Sequence, residues 1–422
     1  MKSFYFILLT LLLCGCAVAA PASPTPSVSA PVFTPSATTA PSATPLPTHT
    51  PLPEPTRPPS ATPTTPPSGP DEYPAGVNPL TGLPAADPAL LDLPPVMVSI
   101  SNSPVTARPQ RGLSYSPLVF EMYLGEGITR FLALFYGGFP PAEIDGEPVT
   151  VGPIRSGRLP YETLRQIYKG VLFFASASDR VLPNLDEYRI VYGSDAVDVN
   201  DARITPAEME EFARQSRSRL GSTRLTGQQF NPAPPAAGKP ASGLWIPFHF
   251  TDQVLWRYDA QSQTYQRYQD QEDGKNFTLA TDALTGQPLG VENVIVLFTT
   301  YHFYDPRLFE IDFKFITRSP ALLFRDGVMQ EIYWTTGNDE YERKTGRFRP
   351  IRFVNYERQP IPLKPGRTWV EIVPLHTPYG ETVDTLNYRD LLQQKKPGSG
   401  FWAVYFYPPA IEEGLATPTP AR

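Results

Sequence analysis

Two apolar runs separated by a glycine-containing segment stand at residues 116–137, which read SPLVFEMYLGEGITRFLALFYG. Each run is short, rich in Val, Leu and Phe, and bounded by Gly or Pro, which is typical of β-strands. The runs therefore predict strands at 116–124 and 130–137. Similar runs predict further strands at 95–102 and 170–178.

Two helices are predicted among these strands. Residues 159–168 place a proline in the first helical turn and continue with apolar side chains at helical spacing. Thr205 and Glu208 have the spacing of a capping box, with proline directly after the threonine. This box predicts a second helix, which we expect to end at Gly221 because glycine commonly terminates helices.

A proline-rich stretch at 231–240 separates this half of the chain from a second half that contains all five tryptophans. Alternating apolar runs around Asp326 and Gly327 predict a hairpin, because Asp-Gly favours a type I′ turn. The sequence therefore predicts an α+β fold. A mixed α/β domain at 76–230 is followed by a β-rich domain at 244–408.

The first sixteen residues, MKSFYFILLTLLLCGC, have the features of an export signal. Lys2 precedes an apolar core that is too short to span a bilayer as a mature helix. The signal ends in Leu-Cys-Gly-Cys, which matches the lipobox pattern and predicts that Cys16 carries a lipid. An ordinary secretory peptide, cut after the small residues at 17–20, is the alternative. The chain has no cysteine beyond Cys16, so we expect no disulfide.

The segment at 17–72 is predicted to be a disordered tether. Seventeen of the 52 prolines fall within residues 21–70, among Ser, Thr and Ala. Such a segment has too few large apolar residues to offset its conformational entropy. The polar tail at 409–422 is also predicted to be disordered. Lipid and tether together predict a protein attached to the bacterial cell membrane and located outside the cytoplasm.

The composition disfavours several functional classes. The formal net charge of −6 over 422 residues argues against nucleic acid as a partner. No glycine-rich nucleotide motif is present, so no cofactor is predicted. The four histidines have no metal-ligand spacing, so no metal site is predicted; they are His49, His249, His302 and His376.

Glu121 and Glu126 are the candidate catalytic residues. Glu121 lies among apolar residues of a predicted strand, where a carboxyl group can have a raised pKa and act as a general acid. Glu126 would be its ionised partner. The alternative is that Glu121 has no chemical role and either lies on a solvated strand face or pairs with Arg130.

Five residues are candidates for binding a ligand. Arg155 and Arg158 stand in Gly-Pro-Ile-Arg-Ser-Gly-Arg, directly before a predicted helix N-terminus, and that arrangement is suited to an anion. Asn102 and Arg108 follow a predicted strand, where ligand-binding loops are common, and Arg130 completes the set. In the alternative interpretation these residues form turns and pair with nearby acids.

Aromatic side chains offer a second kind of binding surface. Trp245, Trp256 or Tyr301 could stack on sugar rings if they were exposed. In the alternative they belong to the hydrophobic core, which is the more common location of tryptophan in β-rich proteins.

The chain resembles the YerB-like bacterial lipoprotein family, whose folded part is catalogued as a domain of unknown function. The resemblance covers about residues 76–408. It implies an N-terminal α/β part, a C-terminal β-rich part and no established activity. The matching phrases are NPLTGL (78–83), PVMVSISN (95–102), ARPQ (107–110), LVFE (118–121), EGITRF (126–131), VGPIRSGR (151–158), DALTG (282–286), NVIV (293–296) and PGRTWVE (365–371).

The sequence thus predicts a lipid-anchored envelope protein that binds a cell-wall polymer or another envelope protein. An enzyme of the envelope is the alternative. It would act on a glycan or a phosphate-linked polymer, with Glu121 and Glu126 as acid and base, and with Arg155 and Arg158 holding the anion.

Overall fold

A computed structural model describes residues 68–195, 197–221 and 224–411. The predicted signal peptide, the lipidation residue Cys16, the tether up to residue 67 and the tail from residue 412 lie outside the described residues. The described part is rich in strands and contains several sheets, as the sequence predicts in outline. The finer division into an α/β domain and a β-rich domain stays a prediction.

Strands from the first half of the chain are short and mostly buried. They are β1 (Val96–Ser101), β2 (Leu118–Tyr123), β3 (Thr129–Phe135), β4 (Glu143–Ile144), β5 (Glu147–Pro148), β6 (Val171–Phe174) and β7 (Tyr188–Ile190).

Strands from the second half are more numerous. They are β8 (Lys239–Pro240), β9 (Gly243–His249), β10 (Asp252–Asp259), β11 (Thr264–Asp270), β12 (Phe277–Leu279), β13 (Gly290–Val291), β14 (Asn293–Thr299), β15 (Tyr301–Asp305), β16 (Leu308–Ile311), β17 (Ser319–Arg325), β18 (Val328–Thr335), β19 (Arg352–Val354), β20 (Thr368–Pro374), β21 (Tyr379–Glu381) and β22 (Phe401–Val404).

Four α-helices occur among the described residues: α1 (Leu159–Tyr168), α2 (Pro206–Leu220), α3 (Asp339–Thr345) and α4 (Tyr388–Gln393). The first two confirm the predicted helices. The capping box of α2 forms as expected, because Thr205 accepts a hydrogen bond from the N–H of Glu208 and the Glu208 side chain accepts one from the N–H of Thr205. None of the helices in the described ranges is long and apolar enough to span a membrane.

The larger sheet contains strands from both halves of the chain. Its strand order is β19, β18, β17, β14, β20, β2, β3, β1, β6, β7, with β8 paired to β18. The halves meet where β2 and β20 pair in parallel, with Glu121 opposite Glu371. The predicted segments 76–230 and 244–408 therefore share one sheet, and all described residues lie within one compact unit.

The smaller sheet is built from the second half alone, in the order β12, β11, β10, β9, β22, β21, with β13 paired to β11. It packs against the middle of the larger sheet. Trp256 of β10 contacts Trp369 of β20 edge to face, with ring centroids 5.5 Å apart. On the opposite face of β2, Phe120 contacts Tyr168 of α1. Because both faces of β2 are covered, all six of its residues are buried.

The structure extends the folded part beyond the predicted boundaries. The backbone of Ser68 pairs with that of Phe230 through hydrogen bonds of 3.1 and 2.8 Å, and Asp71 forms an ion pair with Arg352. Ile411 likewise forms a β-bridge with Phe303. Ser68, Asp71 and Ile411 therefore have partners in the folded part, although they lie within the segments predicted to be disordered. The boundaries of those segments stay predictions.

Candidate functional site

A cluster of polar side chains lies between the two large sheets and is almost entirely closed to solvent, with only Arg108 at its edge partly exposed. We call it the buried polar cluster. β2, β10, β11 and β20 and the loop after β1 supply it, and its members are Asn102, Arg108, Glu121, Asp252, Arg267, Gln269, Asp270 and Glu371. Buried polar groups need hydrogen-bond partners, and most atoms of this cluster have them.

Glu121 is the centre of the buried polar cluster. Its carboxylate forms a bidentate contact with one guanidinium nitrogen of Arg267, at 2.8 and 3.0 Å. It also accepts hydrogen bonds from the Thr129 hydroxyl at 2.8 Å and from the Trp369 indole at 3.1 Å. Glu121 and Arg267 are almost completely buried. Loss of either charge would leave the other unpaired in a low-dielectric interior.

Glu371 stands beside Glu121 on the neighbouring strand. Burial and the nearby charge of Glu121 raise the pKa of Glu371 well above its ordinary value. One of its oxygens accepts a hydrogen bond from the Trp256 indole at 2.8 Å. Two parallel strands thus place two carboxyl groups near a single arginine, and the raised pKa favours the neutral form of Glu371.

The edge of the buried polar cluster contains two more acids. Burial, followed by the charges of Glu121 and Asp270, raises the pKa of Asp252 to about 7. Burial also raises the pKa of Asp270 to about 6. Arg108 lies against both acids and opposes these shifts. Asp252 accepts a hydrogen bond of 2.5 Å from the N–H of Thr129.

Three of the residues that the sequence predicts to bind a ligand or to act in catalysis form hydrogen bonds or ion pairs within the protein instead. Asn102 is fully buried and donates to Thr129 at 2.7 Å. Arg108 donates to the backbone carbonyls of Asn102 and Asp270 at 2.8 and 2.6 Å. With Glu121, these residues connect the sheets and have little surface available to a ligand.

Glu126 lies in a different environment from Glu121. Its side chain is 45% exposed and pairs with Arg307 at 2.7 Å. A general acid must reach its substrate, and the Glu121 carboxylate is sealed by protein on all sides. Acid–base catalysis by these two residues stays a prediction that this arrangement does not favour.

The other three predicted residues come together at the N-terminus of α1. Arg130 of β3 reaches the loop before α1 and donates to the carbonyl of Ser156 at 3.1 Å. Arg155 donates to Ser101 at 3.1 Å and to Asn200 at 3.0 Å. Arg158 is the N-cap of α1 and donates to the carbonyl of Gly157 at 2.9 Å. We call Arg130, Arg155 and Arg158 the arginine cluster.

The arginine cluster forms no close ion pair with an acid among the described residues, although the charges of Asp198 and Glu126 act on Arg155 and Arg158 from farther away. None of the three guanidinium groups lies within 4.0 Å of a carboxylate there. The Nε atoms of Arg130 and Arg158 are buried without a hydrogen-bond partner. Burial lowers the pKa of Arg130 to about 9, and the charges of Arg158 and Arg155 contribute to this shift. Three like charges are therefore held together at a helix N-terminus, which adds further positive potential.

The arginine cluster is suited to an anion. Arg155, Ser156 and Arg158 are partly exposed, whereas Arg130 lies behind them. The Ser156 hydroxyl lies 2.8 Å from that of Ser176, which adds hydrogen-bonding groups at the same surface. Guanidinium groups and a helix N-terminus together are a common means of binding phosphate or carboxylate.

Sequence reasoning missed the partners that surround Glu121. Arg267, Asp252, Asp270 and Glu371 were not singled out, although one signal was present. Arg267 occupies an inward position of the alternating strand β11. A charge on the buried face of a strand requires a partner of opposite charge. The sequence shows that a partner must exist, but not which residue it is.

The aromatic residues considered for sugar stacking belong to the core. Trp245 and Trp256 are fully buried, and Tyr301 is 4% exposed. The indole of Trp245 donates to Gln253 at 3.0 Å. The alternative that these three rings belong to the hydrophobic core is therefore confirmed.

Fold and clusters together define a strand-rich protein with two large sheets, a sealed polar interior and a basic surface beside α1. Two sequence profiles match the chain. “Protein of unknown function (DUF3048) N-terminal domain” covers residues 80–224, and the corresponding C-terminal domain covers residues 245–370. The chain belongs to this YerB-like DUF3048 family, which confirms the resemblance seen in the sequence.

Comparison with a named relative agrees with this assignment. The chain is 27% identical over 313 residues to “Putative lipoprotein YerB” of Bacillus subtilis (strain 168), which is 70% of this chain and 86% of the relative. The crystal structure of the YerB protein from Bacillus subtilis matches with a TM-score of 0.53. That match covers 70% of this chain and 96% of the other at 24% identity, and it shows a shared fold.

Proposed function

We propose that the chain is a lipid-anchored protein of the bacterial cell envelope that binds an anionic cell-wall polymer through the arginine cluster. One observation carries the proposal. Three arginine side chains converge at a helix N-terminus, and none of them forms an ion pair within 4.0 Å with a carboxylate of the described residues. Holding like charges together is costly, and an anionic ligand would offset that cost.

The ligand group is a phosphate or a carboxylate. Both are oxygen anions that accept hydrogen bonds from guanidinium groups, and cell-wall polymers carry both. The half-buried Arg155 and Arg158 would contact the ligand, and the buried Arg130 would add charge from behind. A binding role needs no nucleophile, which agrees with the sealed position of Glu121.

Binding to purified cell walls tests the proposed site. The Arg155→Gln/Arg158→Gln variant should bind walls at least about tenfold more weakly, because each charge-assisted hydrogen bond contributes roughly 1.5–3 kcal/mol. Arg214→Gln, on the exposed face of α2, is the matched control and should bind normally. The measurement is sedimentation of the protein with walls over a range of protein concentrations.

The same assay separates the two ligand groups. Walls treated with hydrofluoric acid lose phosphate-linked polymers and keep the carboxylates of their peptides. Loss of binding after treatment would identify phosphate, and retained binding would identify carboxylate. If the unsubstituted protein sediments with neither preparation but is retained by envelope proteins, the polymer proposal is wrong.

The anchor is supported by the lipobox at Cys16 and by the printed name of the Bacillus subtilis relative. The Cys16→Ala variant should leave the membrane fraction, because thioether attachment of the lipid requires the cysteine sulfur. Fractionation and mass spectrometry of the mature N-terminus are the measurements. A mature chain that begins at a residue other than Cys16, without lipid, would contradict the anchor.

A further inference from the structure

A groove lined by aromatic side chains lies at one end of the smaller sheet, between β9, β21, α4 and the segment after β22. Its volume is about 780 Å³, within the range of small-molecule sites. We call it the aromatic groove. Phe248 and Phe406 are buried in its floor, and Phe250, Tyr388, Tyr405 and Tyr407 line the remainder.

The rings of the aromatic groove are accessible, unlike the tryptophans of the core. Tyr407 is 76% exposed and Phe250 is 50% exposed. Phe250 packs edge to face on Tyr388, with ring centroids 5.7 Å apart, and Tyr388 in turn packs on Trp245. The exposed ring of Phe250 is thus supported from below by the core.

The aromatic groove also offers polar atoms that are not used within the protein. Across the described ranges, the hydroxyls of Tyr388, Tyr405 and Tyr407 take part in no hydrogen bond. The charges of the lining are balanced, because Lys395 and Glu381 are its only Lys, Arg, Asp or Glu residues. Glu381 already accepts hydrogen bonds from the N–H groups of Gly398 and Gly400 at 2.6 and 2.9 Å.

The exposed rings, the unused tyrosine hydroxyls and the balanced charge of the aromatic groove favour some classes of ligand over others. An acyl chain has no hydrogen-bonding groups, so its binding would bury tyrosine hydroxyls without partners, which is costly. A polyproline peptide offers carbonyl acceptors but has no N–H to donate, so it would use the tyrosine hydroxyls only as donors and leave their acceptor capacity unused. A sugar ring has an apolar face for aromatic rings and hydroxyls that both donate and accept.

We propose that the aromatic groove binds pyranose rings of an uncharged oligosaccharide, at a site separate from the arginine cluster. Ring faces of Phe250 and Tyr407 would stack on the sugar, and the tyrosine hydroxyls would bond its hydroxyl groups. The proposal does not depend on the anion site, because an uncharged ligand gains little from guanidinium groups.

The test uses the full-length lipidated protein in nanodiscs and a panel of uncharged hexose and N-acetylhexosamine oligosaccharides on a glycan array. At least one member should bind saturably. Tyr407→Ala and Phe250→Ala should weaken this binding about tenfold or more. Tyr407→Phe, which keeps the ring and loses the hydroxyl, should weaken it by a smaller factor. Tyr192→Ala, at an exposed tyrosine outside the groove, is the matched control.

Arg155→Gln/Arg158→Gln should retain oligosaccharide binding, which distinguishes this site from the proposed anion site. The proposal is overturned if no panel member binds, or if Tyr407→Ala and Phe250→Ala bind as well as the unsubstituted protein. Saturable binding of a synthetic peptide of residues 41–67, or of an acyl chain, that the oligosaccharides fail to displace would also overturn it.

Discussion

Arg267 and Glu121 form an ion pair that connects the two large sheets. The guanidinium group lies over the rings of Phe131 and Trp369, 5.0 and 5.1 Å from their centroids. Its charge is thus held among apolar groups, where the attraction to Glu121 is poorly screened. Removal of either partner would leave a buried charge unpaired between the sheets.

Arg267→Met is expected to lower the free energy of unfolding by about 3–5 kcal/mol, because Glu121 would remain as an unpaired buried charge. Urea denaturation at pH 7 is the measurement. Arg214→Met removes an arginine from an exposed pair with Glu210 and should change stability by less than about 1 kcal/mol. Equal losses in the free energy of unfolding for the two variants would show that the buried pair stabilises the protein no more than the exposed pair does.

Asp252 should make stability depend on pH. Its folded-state pKa of about 7 lies above the ordinary value of 3.8, so between these values the folded state binds more protons than the unfolded state. The contribution of Asp252 to the free energy of unfolding therefore falls as the pH rises from 3.8 to about 7, by up to about 1.4 kcal/mol per pH unit. Asp252→Asn should lose the part of the dependence that comes from Asp252 and keep the part that comes from Asp270 and Glu371, whose pKa values are also raised.

Urea denaturation of both proteins at pH 4.5, 6 and 7.5 tests the role of Asp252. The free energy of the unsubstituted protein should fall relative to that of Asp252→Asn as pH increases. Asp145→Asn, in an exposed turn between β4 and β5, is the control and should follow the unsubstituted protein. Parallel profiles for all three proteins would mean that Asp252 ionises normally.

At the scale of elements, local signals predicted α1, α2 and the hairpin of β17 and β18 correctly. Asp326 and Gly327 have φ values of 52° and 71°, as a type I′ turn requires at both central residues. These elements were predictable because their signals lie within a few residues of one another: a capping threonine, a proline in the first turn, an Asp-Gly pair. Each depends on backbone preferences that act before tertiary packing.

Strand pairing was predictable only between neighbours in sequence. The pairing of β2 with β3 joins runs separated by a short turn. The pairing of β2 with β20 joins Glu121 to Glu371 across 250 positions. Alternation of apolar and polar residues shows that a strand has two faces, but it carries no information about which distant strand lies beside it.

At the scale of the whole molecule, the shared sheet couples the two halves of the chain. A fragment of residues 68–230 would expose the edge of β2 and leave Glu121 without Arg267. A fragment of residues 231–411 would expose the edge of β20. An open, apolar strand edge promotes aggregation, so we expect neither fragment to fold alone.

Expression of the two fragments, separately and together, tests this coupling. Each fragment alone should aggregate or give a collapsed amide spectrum by NMR, whereas co-expression should yield a soluble complex with dispersed signals. The intact chain is the control. A dispersed spectrum from residues 68–230 alone would show that the first half is an independent domain, as the sequence predicts.

The sequence by itself predicted several short strands, both early helices and the family, because each depends on composition or on signals within a short stretch; the lipid at Cys16 stays a prediction. The sequence also predicted that Arg155 and Arg158 lie close together in one candidate anion site, because they are only three residues apart. Only the tertiary structure decided that Arg130 joins them, while Asn102 and Arg108 join Glu121 inside the protein. Strand pairing sets those contacts, and it depends on the free energy of the whole core, which no local pattern encodes.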